Sequence, residues 1–192
     1  MLAAARSIPL SLDAFLEWEE QQAERFELAG GVVRMMAGGT EDHDRIALNI
    51  AAFLRVRLRG TPCSTHISNL KVVSRPANAS MYPDVFVRCG PRQGDRTSVD
   101  DSLLVVEVLS PSTSRFDLIR KRQAYEAMPT LRRIVFVDVD EARVDSRVKG
   151  EDGHWRDETV EGLDAALILP EIDLSVPMAE IYAETEVAAA AG

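Results

Sequence analysis

The chain has 192 residues, of which 46% are hydrophobic and 28% are charged, and its formal net charge at pH 7 is −9. This length suits one domain, and the composition is that of a globular rather than a disordered protein. No apolar run approaches the roughly 18–20 residues needed to cross a bilayer, and the N-terminus lacks the pattern of a secretory signal. We therefore expect a cytoplasmic protein with one domain over residues 1–185 and a frayed, low-complexity tail over 186–192.

Charge is distributed unevenly along the chain. The balance is −6 over residues 1–44, +8 over 45–133 and −11 over 134–192. A basic middle segment is compatible with a polyanionic partner, because local potential rather than net charge steers a ligand. Cys63 and Cys89, both in apolar surroundings, could form at most one disulfide, and neither belongs to a CxxC pair. This excludes disulfide-rich scaffolds and zinc ribbons.

The first third of the chain predicts two helices separated by a hairpin. Ser11 is a good N-cap for an amphipathic helix, and the segment that follows alternates around the Gly30-Gly31 turn. A second helix is predicted from Thr40 to about Arg59, with an apolar stripe on one side and arginines on the others.

The remainder alternates between strands and helices. Strands are predicted over 63–67, 70–74, 84–88, 103–109, 134–139, 142–148 and 155–160, and helices over 115–128 and 176–182. Helix, strands, helix and strands in this order predict an α+β fold of α/β/α type, with a mixed β-sheet flanked by helices.

Glu107 is the most informative residue, because it interrupts the apolar run LLVVEVL over 103–109. This run is typical of a central strand that is covered on both faces. A buried carboxylate without a partner costs several kcal/mol, so either a cation or a structural arginine must compensate it.

Asp84 follows Pro83 at the start of a predicted strand, 23 positions before Glu107. Two adjacent antiparallel strands would bring both carboxylates to one end of the sheet. Hard cations such as Mg²⁺ prefer oxygen ligands and are commonly held by one or two carboxylates. The pair therefore predicts a metal site, although Pro-Asp is also an ordinary loop-to-strand junction.

Two further residues are candidates with simpler alternatives. Glu27, in RFELAGG, is either a third acid of the site or a solvated charge. His43, at the start of the second helix, is either a contact to phosphate or water or a capping residue.

Several segments together resemble the Uma-type restriction endonuclease family, a branch of the PD-(D/E)xK nuclease superfamily. The matching segments are RFELAGG (25–31), EDHDRIALNIAAFLRVRL (41–58), YPDVFV (82–87), LLVVEVLSPSTSRFD (103–117), KRQAY (121–125), LRRIVFVDVD (131–140), LILPEIDLSVP (167–177) and AEIY (179–182). The resemblance implies a restriction-endonuclease-like core. In it, Glu27 is the helix-side acid, Asp84 the aspartate of the PD motif and Glu107 the acid that follows.

The lysine of the superfamily signature normally lies two residues after the second acid, and Leu109 stands there instead. The family supplies a lysine from the next helix, where Lys121 lies. Asp117, Lys121 and Tyr125 follow an i, i+4, i+8 spacing and so share one helix face, which we expect to face the sheet. The alternatives are an Asp117–Lys121 salt bridge and Lys71 as the mechanistic lysine.

The resemblance implies an endonuclease that hydrolyses DNA phosphodiester bonds with Mg²⁺ or Mn²⁺. The metal ligands would be Asp84, Glu107, the Val108 carbonyl and Glu27, with Lys121 acting on the water or the phosphate. Candidate contacts to the DNA backbone are Arg45, Arg55, Arg57, Arg59, Arg120 and Arg122.

A homodimer would supply one site for each DNA strand. The alternatives are a repair or transposon-associated nuclease acting on branched DNA, and a non-catalytic DNA-binding or assembly protein on a nuclease scaffold.

Overall fold

The structure is a computed structural model that describes residues 10–36, 38–92, 94–109 and 115–190, with side chains in the last range from residue 118 onward. None of the helices in these ranges is long and apolar enough to cross a membrane.

Thirteen strands and five α-helices make up the described chain. The helices are α1 (Leu12–Glu19), α2 (Glu41–Arg57), α3 (Arg115–Glu126), α4 (Met178–Ile181) and α5 (Glu186–Ala190). The strands are β1 (Phe26–Ala29), β2 (Val32–Met35), β3 (Cys63–Ile67), β4 (Lys71–Ser74), β5 (Ala79–Met81), β6 (Val85–Cys89), β7 (Ser98–Val99), β8 (Ser102–Leu109), β9 (Arg133–Asp138), β10 (Arg143–Lys149), β11 (Trp155–Glu161), β12 (Ala166–Leu169) and β13 (Leu174–Pro177).

A six-stranded mixed sheet forms the centre, in the order β11-β10-β9-β8-β6-β3. Strand β8 pairs antiparallel with β6 and parallel with β9. Parallel neighbours need a long crossover, and α3 supplies it between β8 and β9. A second sheet has the order β2-β1-β5-β4-β7, and β12 and β13 form a separate pair.

Successive side chains of the central strands point to opposite faces of the sheet, so alternate residues pack into two separate cores. Val85 and Val106 pack with Ile46, Ile50 and Leu54 of α2 on one face. On the other face, Phe86 and Val105 pack with α3 and with the second sheet, through the buried residues Tyr125, Met128, Val72 and Met81. Glu107 shares the face of Val105 and so points between the two sheets. The fold is α+β with mixed sheets flanked by helices, as predicted.

The long elements agree with the sequence prediction, as do the short strands β1 to β4, whereas the elements near the C-terminus differ. Ser11 and Thr40 cap α1 and α2 as expected, each accepting a backbone N–H in the first turn. The helix predicted over 176–182 is partly wrong, because 174–177 form strand β13 and only Met178–Ile181 are helical. The tail is not frayed over 186–190, where α5 begins with the Glu186 N–H donating to Asp42 Oδ2 at 3.1 Å.

Cys63 and Cys89 are opposite each other on β3 and β6 and are joined by a disulfide bond. The bond therefore ties the edge strand of the central sheet to its neighbour.

Candidate active site

Glu107 is buried in the middle of the molecule, with only 7% of its surface exposed. The Tyr125 hydroxyl donates to its Oε1 at 2.6 Å, and Lys121 Nζ lies 3.1 Å from its Oε2. Both partners come from α3, which crosses over the end of β8. The helix face predicted from the i, i+4 spacing therefore does face the sheet. The side chain of Asp117 lies outside the described residues.

Asp84 immediately precedes β6, and the register Val85↔Val106 places it opposite Glu107 on the adjacent antiparallel strand. This is the arrangement predicted from the spacing of the two acids. Asp84 Oδ2 accepts the Val108 N–H at 2.7 Å, and His43 Nε2 lies 3.5 Å from the same oxygen.

Glu27 extends from strand β1, so its description as a helix-side acid is wrong. Its Oε2 lies 3.0 Å from Lys121 Nζ, and its Oε1 accepts the Tyr82 N–H at 2.8 Å. Only 13% of its side chain is exposed, which excludes the solvated-charge alternative. Lys121 thus joins an acid of the five-stranded sheet to an acid of the six-stranded sheet.

Lys71 belongs to a different buried network. Its Nζ lies 2.7 Å from Glu19 Oε2, and the Tyr82 hydroxyl donates to Glu19 Oε1 at 2.9 Å. Of the two lysines that the sequence left open, Lys121 is therefore the one beside the acids.

Burial and neighbouring charges set the protonation of the cluster. Burial raises the pKa of Glu107 to about 7; the Lys121 ammonium opposes the shift, while the Asp84 and Glu27 charges add to it. Burial alone would lower the pKa of Lys121, but Glu107 and Glu27 raise it well above its ordinary value. Lys121 therefore stays protonated at neutral pH.

The family of the chain follows from its similarity to known proteins. The model of the Uma2 family, described as "Putative restriction endonuclease", matches residues 12–179. The chain belongs to the Uma2 family. This confirms the resemblance inferred from the sequence.

Relatives of this Uma2 protein include the uncharacterized protein slr1290 of Synechocystis, which is 34% identical over 159 residues, covering 81% of this chain and 84% of that one. The uncharacterized protein sll1609 of Synechocystis is 27% identical over 158 residues, covering 81% and 89%. Among solved structures, a "putative nuclease belonging to DUF820" from Anabaena variabilis has the same fold. Its TM-score is 0.75 at 16% identity, over 91% of this chain and 98% of that one.

The predicted DNA-contacting arginines are dispersed rather than gathered at the acids. Arg45 pairs with Glu184 and Arg122 with Glu126, Arg57 stacks on Phe53, and Arg120 packs against Gly30. Arg55 and Arg59 lie near the far end of α2, roughly 18–24 Å from His43 at 1.5 Å per residue.

His43 and Tyr125 contact the acids of the site. The sequence predicts for His43 a contact to phosphate or water or a capping role, and for Tyr125 only a helix face shared with Lys121. The hydrogen bond to Asp84 raises the pKa of His43, and the ring also bonds to the backbone of Val108. A Cβ at Gly39 would lie 2.7 Å from His43 Nδ1, so the chain before α2 packs closely against the ring. The spacing of Tyr125 from Lys121 was a usable signal, whereas His43 lies in the cluster only because of tertiary contacts.

The chemistry of these donors fits a hard divalent cation. Asp84 and Glu107 offer carboxylate oxygens on neighbouring strands, the set from which Mg²⁺ and Mn²⁺ sites are commonly built. Within the described residues, no group of three or more His, Cys, Asp or Glu side chains is arranged to hold a metal ion. Glu27 and Glu107 instead both contact the Lys121 ammonium, so the residues fit the two-carboxylate type of site.

Proposed function

We propose that this Uma2 protein is a metal-dependent endonuclease that hydrolyses DNA phosphodiester bonds. The observation that carries the proposal is the charged Lys121 between Glu27 and Glu107, with Asp84 opposite Glu107 on the adjacent strand. The family's description as a restriction endonuclease supports DNA as the substrate.

Asp84 and Glu107 would hold Mg²⁺ or Mn²⁺, with the Val108 carbonyl as a further oxygen ligand, while Glu27 stays paired with Lys121. When bound, such an ion stabilises the charge that develops on the phosphate and lowers the pKa of a bound water. Asp84 is oriented for this by the Val108 N–H and His43, and Glu107 by the Tyr125 hydroxyl.

Lys121 acts as a cation rather than as a base. Because Glu27 and Glu107 keep Nζ protonated, its role is to orient a water and to offset negative charge on the phosphate. Glu27, itself fixed by the Tyr82 N–H, holds the lysine between the two sheets.

The experiment is a nicking assay on supercoiled, linear and branched DNA with Mg²⁺ or Mn²⁺ and with EDTA as the control. We expect metal-dependent nicking by the native protein, and the substrate that is cut fastest separates a restriction enzyme from a repair or transposon-associated nuclease. Absence of nicking on all three substrates would contradict the proposal.

A non-catalytic DNA-binding or assembly protein is the second candidate, favoured by Leu109 at the usual lysine position and by the closed Glu107–Lys121–Tyr125 network. Such a protein would show no effect of Mg²⁺ or Mn²⁺ on stability that depends on Asp84 or Glu107. A thermal melt with each metal decides between the two.

We further propose that the protein works as a homodimer, since one site for each chain requires two copies to cut both strands. Light scattering of the purified protein, alone and with duplex DNA, tests the assembly. A monomer under both conditions would leave single-strand nicking as the activity.

A further inference from the structure

A groove of about 450 Å³ opens along the free edge of the central sheet, away from the acids. It lies between the end of α2 and strand β3. The residues that matter here are Arg55, Arg59, Ser64, Thr65, His66 and Arg92. The three arginine residues are exposed, so their side chains can meet a ligand without unfolding of the chain.

The backbone of β3 presents polar groups to this groove. The Cys63 N–H turns away from β6 to donate to Thr61 Oγ1, and the Ile67 carbonyl accepts the Leu70 N–H on the same free edge. Since the orientation of backbone groups alternates along a paired strand, the N–H and C=O of Thr65 also face the free edge. The groove therefore combines guanidinium groups with a backbone N–H donor.

The charges around the groove arginines differ from those at the opposite edge of the sheet. Among the described side chains, no carboxylate lies within ion-pair distance of Arg55, Arg59 or Arg92. At the opposite edge of the same sheet, Arg147 pairs with Asp157 and Arg156 with Asp152. Burial and the charges of Arg88 and Arg92 lower the pKa of His66, whereas the charge of Asp101 raises it.

We propose that this groove binds a phosphate of the DNA backbone and so fixes how the duplex lies across the active site. The inference rests on the proposed function for the choice of DNA as ligand. Strand β6 connects the two places, since Asp84 precedes it and Cys89, which ends it, is bonded to Cys63 in the groove. At about 3.3 Å per residue the separation is roughly 17 Å, or about five base pairs of B-DNA.

The test is fluorescence anisotropy of a short labelled DNA duplex in EDTA, so that binding is measured without cleavage. Arg55→Gln and Arg92→Gln should each weaken binding by about 3- to 10-fold, and each should reduce the slope of log K against log[salt] by about 0.9. The matched control is Arg156→Gln, an exposed arginine at the opposite sheet edge, which should change affinity by less than about 2-fold.

Equal losses in all three variants, or no loss in the groove variants, would overturn the proposal. Saturable binding of inorganic phosphate that Arg92→Gln removes, with duplex affinity unchanged, would also overturn it, because the ligand would then be a free anion. Since no step depends on cleavage, the groove is tested even if the nicking assay finds no nuclease activity. Conversely, unchanged duplex binding in the groove variants, together with metal-dependent nicking by the native protein, would overturn the groove proposal and leave the catalytic proposal standing.

Discussion

Two opposing sets of effects determine the pKa of Glu107. Burial and the charges of Asp84 and Glu27 disfavour its ionised form, whereas Lys121 and Tyr125 favour it. Its pKa in the folded protein, about 7, lies above the ordinary value of 4.5. The stability that comes from protonating Glu107 is therefore fully present below about pH 4.5 and is lost as the pH rises through about 7.

Glutamine at position 107 has no ionisable carboxyl, so the substitution removes this loss of stability at high pH. We expect Glu107→Gln to abolish nicking and, above pH 7, to raise the free energy of unfolding by about 1–3 kcal/mol in EDTA, with the gain disappearing toward pH 4.5. Urea denaturation across this pH range measures it. Loss of folded protein at neutral pH would instead show that Glu107 is part of a structural ion pair.

Replacing Lys121 should affect activity, whereas replacing Lys71 should affect stability. Lys121→Met should lower nicking by roughly 100-fold or more, because a fixed positive charge near the phosphate is lost. Lys71→Met should lower the free energy of unfolding by about 3 kcal/mol, because it leaves Glu19 buried without a cation.

The two variants are compared by their nicking rate per folded molecule, with the folded fraction measured by circular dichroism. The assignment of Lys121 would be contradicted if Lys71→Met, while folded, lost as much activity as Lys121→Met.

At the level of elements, the hydrogen bond from the Tyr125 hydroxyl to Glu107 is one of the contacts that attach α3 to β8, beside the Lys121–Glu107 ion pair. Tyr125→Phe removes a donor to a carboxylate, so the free energy of unfolding should fall by about 1.5–3 kcal/mol and the pKa of Glu107 should rise further. The pH at which nicking reaches half its maximum should then move upward.

Tyr82→Phe is the matched variant, since it loses an equivalent bond to Glu19. It should cost similar stability and leave the pH midpoint in place. An equal shift of the midpoint in both variants would show that Tyr125 acts only through general stability.

Elements were predictable from sequence in proportion to their length and the clarity of their pattern. The eight residues of β8 carry a strong apolar signal, and α2 has both a cap and a stripe. Strand β7 has two residues and β5 has three, too few to show a period, and both exist because neighbours pair with them. The last two residues of strand β13 fall in the helix predicted over 176–182, because the pairing of β13 with β12 is a tertiary effect.

Residues of the candidate site, too, were predictable only where the local sequence carries a signal. Glu107 was predictable because an acid inside an apolar run conflicts with its surroundings, and Asp84 because of the spacing between two strands. Lys121 was implied by the family resemblance, with support from the helix spacing. The contact of His43 with Asp84, and that of Lys71 with Glu19, depend on packing between distant segments. Nothing local in the sequence marks either contact.

At the scale of the whole molecule, the candidate active site brings two sheets together, because Glu27 comes from one and Asp84 and Glu107 from the other. A ligand that binds the folded state alone raises stability by mass action. We expect Mn²⁺ in excess over its dissociation constant to raise the melting temperature of the native protein, and EDTA to reverse the rise.

Asp84→Asn should abolish the effect of Mn²⁺, whereas Asp157→Asn, an exposed acid on β11, should leave it intact. Differential scanning fluorimetry measures all three proteins. A rise of the same size in Asp84→Asn would place metal binding elsewhere on the surface.

The disulfide between Cys63 and Cys89 encloses the chain segment that contains Lys71, Tyr82 and Asp84. A protease that cuts the exposed turn at Arg75 and Pro76 would therefore leave one covalent molecule, which only a reducing gel would separate into two fragments. In a reducing compartment the same cut would release two separate chains. One pair of cysteines thus decides whether a nicked molecule keeps Glu27 and Asp84, which lie on opposite sides of the cut, in one covalent piece.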